Sequence, residues 1–138
     1  HGACFRARSG RGLLSKTRRA GLPLVRNWGR WEGKDHRRTP LEIDIVARLT
    51  EGRVLTGAVK WNRTPVGMAV HTHHLDALRR LSESGVKWAH EAQQQNSPLL
   101  YVVAGGFTPE FRQAATASRA TVYLWSLDEL YQDVSLTR

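Results

Sequence analysis

Residues 41–61 have the sequence LEIDIVARLTEGRVLTGAVKW, two β-rich runs on either side of a four-residue turn. The runs Leu41–Leu49 and Val54–Trp61 are rich in β-branched and apolar side chains, which favour strands. The turn, Thr50–Arg53, contains Gly52, and glycine readily adopts the backbone angles of tight hairpins. This stretch therefore predicts a β-hairpin.

The hairpin brings charged side chains together. Because side chains alternate across a strand, we expect Glu42 and Asp44 to share one face, and Ile43 and Ile45 the other. If the strands pair, Lys60 converges with the two carboxylates where the sheet forks. Carboxylates suit Mg²⁺ or Mn²⁺, and a lysine can activate a water and offset charge on a phosphate. An exposed hairpin with a solvated Glu/Lys face explains the same spacing and is the commoner outcome for such a pattern.

Outward from the hairpin, helical and strand patterns alternate. We predict a helix over residues 3–20, a strand over 24–31, a loop over 33–40, a helix over 70–95 that Gly85 divides, a strand over 99–104, a helix over 109–117 capped by Thr108, a strand over 121–125 and a last helix capped by Ser126. Gly10 and Gly12 weaken the first helix. This order predicts an α/β fold in which a mixed central sheet is flanked by helices on both faces.

The composition of the chain excludes several classes of protein. The chain has 138 residues, 41% of them apolar and 24% charged, so we expect one globular domain spanning 1–138. The longest apolar run, Pro98–Phe107, is about half as long as a membrane-spanning helix requires, so no membrane partner is expected. One cysteine, Cys4, excludes an internal disulfide and favours a reducing, cytoplasmic location. Because the chain begins with His1, we interpret it as a fragment of a longer parent or as carrying a tag remnant.

The net charge of +9 is carried entirely by residues 1–38, which hold eleven Lys or Arg and two acidic residues. Basic and acidic residues balance in the remainder. Such a one-sided basic segment is typical of proteins that bind polyanions, although an acidic neighbouring domain would also be attracted to it. The basic residues predicted to contact nucleic acid are Arg6, Arg8, Arg11, Lys16, Arg18, Arg19, Arg30 and Arg63.

The motif Leu41–Ala47 followed by Gly57–Trp61 resembles the PD-(D/E)XK nuclease superfamily, and more narrowly the nuclease-like domain found C-terminal to AAA-type ATPases in archaea and bacteria. The similarity extends to the predicted helix around Phe5 and to the segments Trp28–Trp31, Pro65–Val66, Gly106–Thr108 and Leu127–Leu130. The resemblance implies a restriction-endonuclease-like fold with an α-β-β-β-α-β core. It also implies a metal-dependent endonuclease acting on DNA.

By this resemblance, Asp44 ligates Mg²⁺ or Mn²⁺, the carbonyl of Val59 supplies a further oxygen, and Lys60 acts on the attacking water. A second acidic ligand normally stands where this sequence has Ala58. The helix position occupied by Arg6, often Glu in such domains, also departs from the pattern. No phosphate-binding glycine motif is present, so no nucleotide cofactor is expected.

Three explanations of Ala58 remain open. Glu42 could replace the missing ligand, Ala58 could be an engineered substitution, or the domain could be a degenerate nuclease that binds nucleic acid without cutting it. We favour a degenerate or disabled site, and hence weak or absent cleavage. The alternative function is a non-catalytic accessory or docking domain that binds the ATPase domain of its parent. A homodimer is compatible with either function.

The histidines and the tryptophans are the remaining candidate residues. His71, His73 and His74 are clustered, but no cysteine or suitably spaced acidic residue completes a zinc site. A solvated helix start explains the cluster, but if His74 lies in the helix that follows the lysine strand, it could contact a scissile phosphate or a bound water. Of the five tryptophans, Trp61 and those near the basic segment could stack on an unpaired base, and core packing explains them equally well.

Overall fold

The computed structural model describes residues 4–7, 25–94, 97–118 and 121–126. Its strands are β1 (Cys4–Ala7), β2 (Val25–Lys34), β3 (Pro40–Leu49), β4 (Val54–Lys60), β5 (Leu99–Val103) and β6 (Val122–Ser126), and its helices are α1 (Met68–Glu83), α2 (Lys87–Ala92) and α3 (Pro109–Ala117). The six strands form one sheet in chain order. Strands β1 to β4 pair antiparallel, whereas β4, β5 and β6 pair parallel. The predicted mixed sheet with flanking helices is therefore confirmed, whereas helices on its second face, also predicted, are not present among the described residues.

The central hairpin forms as its sequence predicts. Strands β3 and β4 pair from Arg48 opposite Val54 to Ile45 opposite Gly57. At the turn, Leu49 N donates a 2.9 Å hydrogen bond to the carbonyl of Arg53, and Gly52 has a φ of 102°. Glycine adopts this positive φ without the steric cost that a Cβ would bring.

The N-terminal residues differ from the prediction. Cys4–Ala7 form strand β1, in which Phe5 lies opposite Trp31 of β2, so the predicted helix is wrong for these four residues. The other residues of that helix lie outside the described part. Without β1, strand β2 would leave a row of main-chain donors and acceptors unpaired, and pairing satisfies them. This long-range gain outweighs a weak local preference for helix.

Strand β3 contains a bulge at the position that matters most for the site. Gly29 of β2 lies opposite Val46, but Trp31 lies opposite Ile43, so β3 has one residue more than β2 over this interval. Ile43 therefore packs in the core cluster that includes the helices, and Ile45 packs in the cluster on the other face of the sheet. The prediction that these two isoleucines share a face is wrong, because a bulge breaks the alternation.

The described helices all contribute to one face of the sheet. Helix α1 buries His74, Ala77, Leu78 and Leu81, the spacing of an amphipathic helix. Ala89 of α2 and Phe111 of α3 belong to the same core cluster as the apolar residues of α1. On the second face, the buried cluster of the described residues consists of strand side chains. The helix predicted after Ser126 lies outside the described residues.

Two sequence signals fix the helix boundaries. Gly85, with a φ of 88°, separates α1 from α2, which confirms the predicted division of the long helix. Thr108 accepts a hydrogen bond from Phe111 N at 3.3 Å and caps α3, with Pro109 at its first position. Within the described ranges, no helix is both long and apolar enough to cross a membrane.

Candidate functional site

The site begins where β3 and β4 separate. Their pairing ends at Ile45 and Gly57, and one residue beyond, Asp44 Oδ2 accepts a 3.0 Å hydrogen bond from Val59 N. A side-chain oxygen thus takes the place that a main-chain carbonyl would hold if the ladder continued. The bond fixes the Asp44 carboxylate against β4 at the fork of the sheet.

A cavity of about 120 Å³ lies beside this fork, between the ends of β3 and β4 and helix α1. Its walls are Glu42, Ile43, Asp44, Gly57, Ala58, Lys60, Val70, His73, His74 and Ala77. The structure therefore brings Asp44, Lys60 and Glu42 to one cavity, together with the Ala58 position. Because its walls carry carboxylates, an ammonium group and imidazoles beside apolar side chains, the cavity can hold water or ions.

Glu42 and Arg30 neutralise each other at the edge of the site. The Arg30 guanidinium forms ion pairs with Glu42 and, at 3.1 Å, with Glu32. Burial alone would lower the pKa of Arg30, but Glu42, Glu32 and Asp44 outweigh it and raise the pKa. Arg30, predicted to contact nucleic acid, is therefore already occupied by carboxylates. Glu42, considered as a replacement ligand, already binds Arg30 with its Oε2.

The side chains around the fork do not match a two-carboxylate metal site. Ala58 presents a methyl group at the position of the second acidic ligand. Among the residues that the structure describes, no group of three or more His, Cys, Asp or Glu side chains is placed to hold a metal ion. Asp44 is the one carboxylate on the cavity wall besides the paired Glu42. The role of the Val59 carbonyl as a metal ligand stays a prediction.

His74 is buried beneath the cavity, with 4% of its surface exposed, and its Nε2 lies 2.9 Å from Thr56 Oγ1. Burial, with repulsion from His71 and His73, lowers the pKa of His74 to about 3. The ring is therefore neutral near neutral pH and offers no positive charge to a phosphate. Its predicted contact with a phosphate or water remains a prediction.

The other two histidines differ in their surroundings. His71 Nδ1 lies 2.7 Å from the hydroxyl of Tyr101, and burial lowers the pKa of His71 and raises that of Tyr101. His73 is exposed and lines the cavity. Sequence reasoning singled out His74 rather than His73, because the two are adjacent and the phase of the helix decides which one faces the core.

The remaining residues predicted to bind nucleic acid are only partly described. Arg63 is exposed in the loop after β4, and the backbone of Arg6 belongs to β1. Those outside the described residues are Arg8, Arg11, Lys16, Arg18 and Arg19. Their contacts with nucleic acid stay predictions.

Comparisons with known proteins give a distant structural similarity. No protein family and no curated protein matches the sequence. Among solved structures, the chain is similar to the crystal structure of a repair endonuclease from Pyrococcus abyssi, at 9% sequence identity and a TM-score of 0.41. The similarity covers 62% of this chain and 33% of that endonuclease, so the chain spans about a third of its length.

Proposed function

We propose that this chain is a nuclease-like domain that binds DNA through the cavity at the fork of β3 and β4. The observation that carries the proposal is that Asp44 and Lys60 line the same cavity. An ammonium group attracts a phosphate, and a carboxylate in the same cavity can orient a water. Arginines of the segment 1–38, and Arg63, would add contacts along the DNA backbone.

We further propose that the domain binds DNA without efficient metal-dependent cleavage. The Ala58 side chain supplies no oxygen, and Glu42 forms an ion pair with Arg30, so Asp44 is the remaining carboxylate of the cavity wall. A lone carboxylate binds Mg²⁺ weakly, because this cation requires several oxygen ligands in octahedral geometry. Lys60 and the exposed His73 remain available to a phosphate on the cavity wall.

DNA binding is tested by fluorescence anisotropy with a short labelled duplex. Replacing Lys60 with Ala removes one charge-assisted contact, so we expect the dissociation constant to rise roughly five- to tenfold. Lys87→Ala, an exposed lysine on α2, is the matched control and leaves affinity within about twofold. If the unmodified chain binds neither this duplex nor a single strand of the same sequence at physiological salt, the proposal fails and the docking function predicted as the alternative is favoured.

Cleavage is tested separately with the same duplex and added Mg²⁺ or Mn²⁺. We expect little cutting by the unmodified chain and a gain of cutting in Ala58→Glu, which restores the second carboxylate. Lys60→Ala introduced together with Ala58→Glu removes that gain. Strong Mg²⁺-dependent cutting by the unmodified chain, lost in Lys60→Ala, would contradict the proposal of a disabled site.

A further inference from the structure

Trp61 is the most exposed large apolar side chain in the described part of the molecule, with 73% of its surface in contact with solvent. Trp28, Trp31 and Trp125, by contrast, are at most 7% exposed and belong to the core. Trp61 directly follows Lys60, whose side chain lines the cavity at the fork. Core packing, which explains the buried tryptophans, therefore does not explain this one.

The loop that carries Trp61 is held at both ends by main-chain hydrogen bonds. Before the indole, Lys60 O accepts from Ala104 N at 2.9 Å. After it, Val66 N donates to Gly106 O and Val66 O accepts from Thr108 N, both at 3.0 Å. The loop is thereby tied to the segment between β5 and α3, and Trp61 is presented from a backbone that is already ordered.

Close backbone packing also supports the middle of the loop. A Cβ placed on Gly105 would collide with the main chain of Arg63 and Thr64, so the glycine lets the two segments touch. Asn62 and Arg63, like Trp61, remain exposed. This short loop after β4 therefore exposes the flat indole of Trp61 and the guanidinium of Arg63 to solvent.

We infer that Trp61 stacks on an unpaired nucleobase, and that the domain consequently prefers DNA with single-stranded nucleotides to a fully paired duplex. The inference rests on the proposed function, since it assumes that the adjacent cavity meets a phosphate. An indole stacks on any base face but has no access to it inside a duplex, where the bases stack on each other. Arg63 would contact a phosphate of the same strand, and a preordered loop loses little conformational entropy on binding.

The test compares a labelled single strand with the corresponding duplex. Trp61→Ala is expected to weaken single-strand binding roughly tenfold and to leave duplex binding within about twofold. Trp61→Phe, which keeps an aromatic face, retains most of the affinity. Leu75→Ala, which truncates an exposed apolar residue on α1, is the matched control and changes neither.

Tryptophan fluorescence gives a second readout. Stacking on a base quenches an exposed indole, so the single strand should quench the unmodified chain and leave Trp61→Phe largely unquenched even though it still binds. Equal single-strand affinity of Trp61→Ala and the unmodified chain, with duplex binding intact, overturns the inference and leaves the proposed function standing. Absence of binding to either form of DNA overturns both.

Discussion

The Asp44 carboxylate is held in place by a hydrogen bond within the protein. Its hydrogen bond with Val59 N closes the last gap between β3 and β4, so the carboxylate is positioned without any ligand. The juxtaposition of Asp44 and Lys60 could be predicted, because a hairpin of known turn length fixes which side chains converge. The pairing of Arg30 with Glu42 could not, since it depends on the register between β2 and β3, which the bulge shifts.

His74 makes stability depend on pH. The pKa of His74 is about 3 in the folded protein, whereas the unfolded chain has the ordinary value near 6.5. The unfolded state therefore binds the proton more readily, and stability is lost as the pH falls through 6.5 toward 3. From pH 7.5 to pH 5 we expect the free energy of unfolding to fall by about 2 kcal/mol on account of this group.

The effect of His74 is measured by urea unfolding at pH 7.5 and pH 5 of the unmodified chain, His74→Gln and His90→Gln. In His74→Gln the side chain no longer titrates, so most of the difference should disappear. His90→Gln, which replaces an exposed histidine of α2, should behave like the unmodified chain. A pH dependence that is the same in His74→Gln as in the unmodified chain would show that the burial of this ring does not control stability.

At the scale of elements, the sequence was informative wherever the decisive interaction is local. The hairpin turn at Gly52, the division of the long helix at Gly85 and the cap at Thr108 each depend on one residue and its neighbours, and all three are present. The Cys4–Ala7 segment differs because its structure depends on a free strand edge about 25 residues further along the chain. Local pattern carries no information about such a partner.

Gly57 is required where β4 and β5 run side by side. A Cβ on Gly57 would collide with the carbonyl of Leu100, which belongs to the paired backbone of β5 and cannot move independently. We expect Gly57→Ala to reduce the free energy of unfolding by about 3 kcal/mol or more, measured by urea denaturation.

Gly52→Ala separates this steric effect from the cost of backbone conformation. Gly52 has a positive φ, but a Cβ at this position would have no atom within 4 Å, so only the left-handed conformation is penalised, by about 1–2 kcal/mol. If Gly57→Ala lowers the free energy of unfolding no more than Gly52→Ala does, the collision with Leu100 has no measurable cost and the prediction for Gly57 is contradicted.

At the scale of the whole molecule, the basic residues precede the candidate site in the sequence. Residues 1–38 carry the entire net charge of +9, and the fork that carries Asp44 and Lys60 follows directly. Part of the basic segment is internally neutralised, since Arg30 forms ion pairs with Glu32 and Glu42. The charge that reaches DNA is therefore smaller than composition alone suggests.

The dependence of DNA affinity on salt tests where this charge acts. Each phosphate contact contributes about 0.9 to the slope of log affinity against log salt, because binding releases counterions from the DNA. If Arg8 and Arg11 each contact a phosphate, the double variant Arg8→Gln, Arg11→Gln should have a slope about 2 smaller in magnitude. Lys87→Gln with Arg112→Gln removes the same charge from α2 and α3 and should leave the slope nearly unchanged. Equal slopes for the two double variants would mean that DNA responds to the net charge of the molecule and not to its basic N-terminal segment, since in that case the position of the removed charge has no effect.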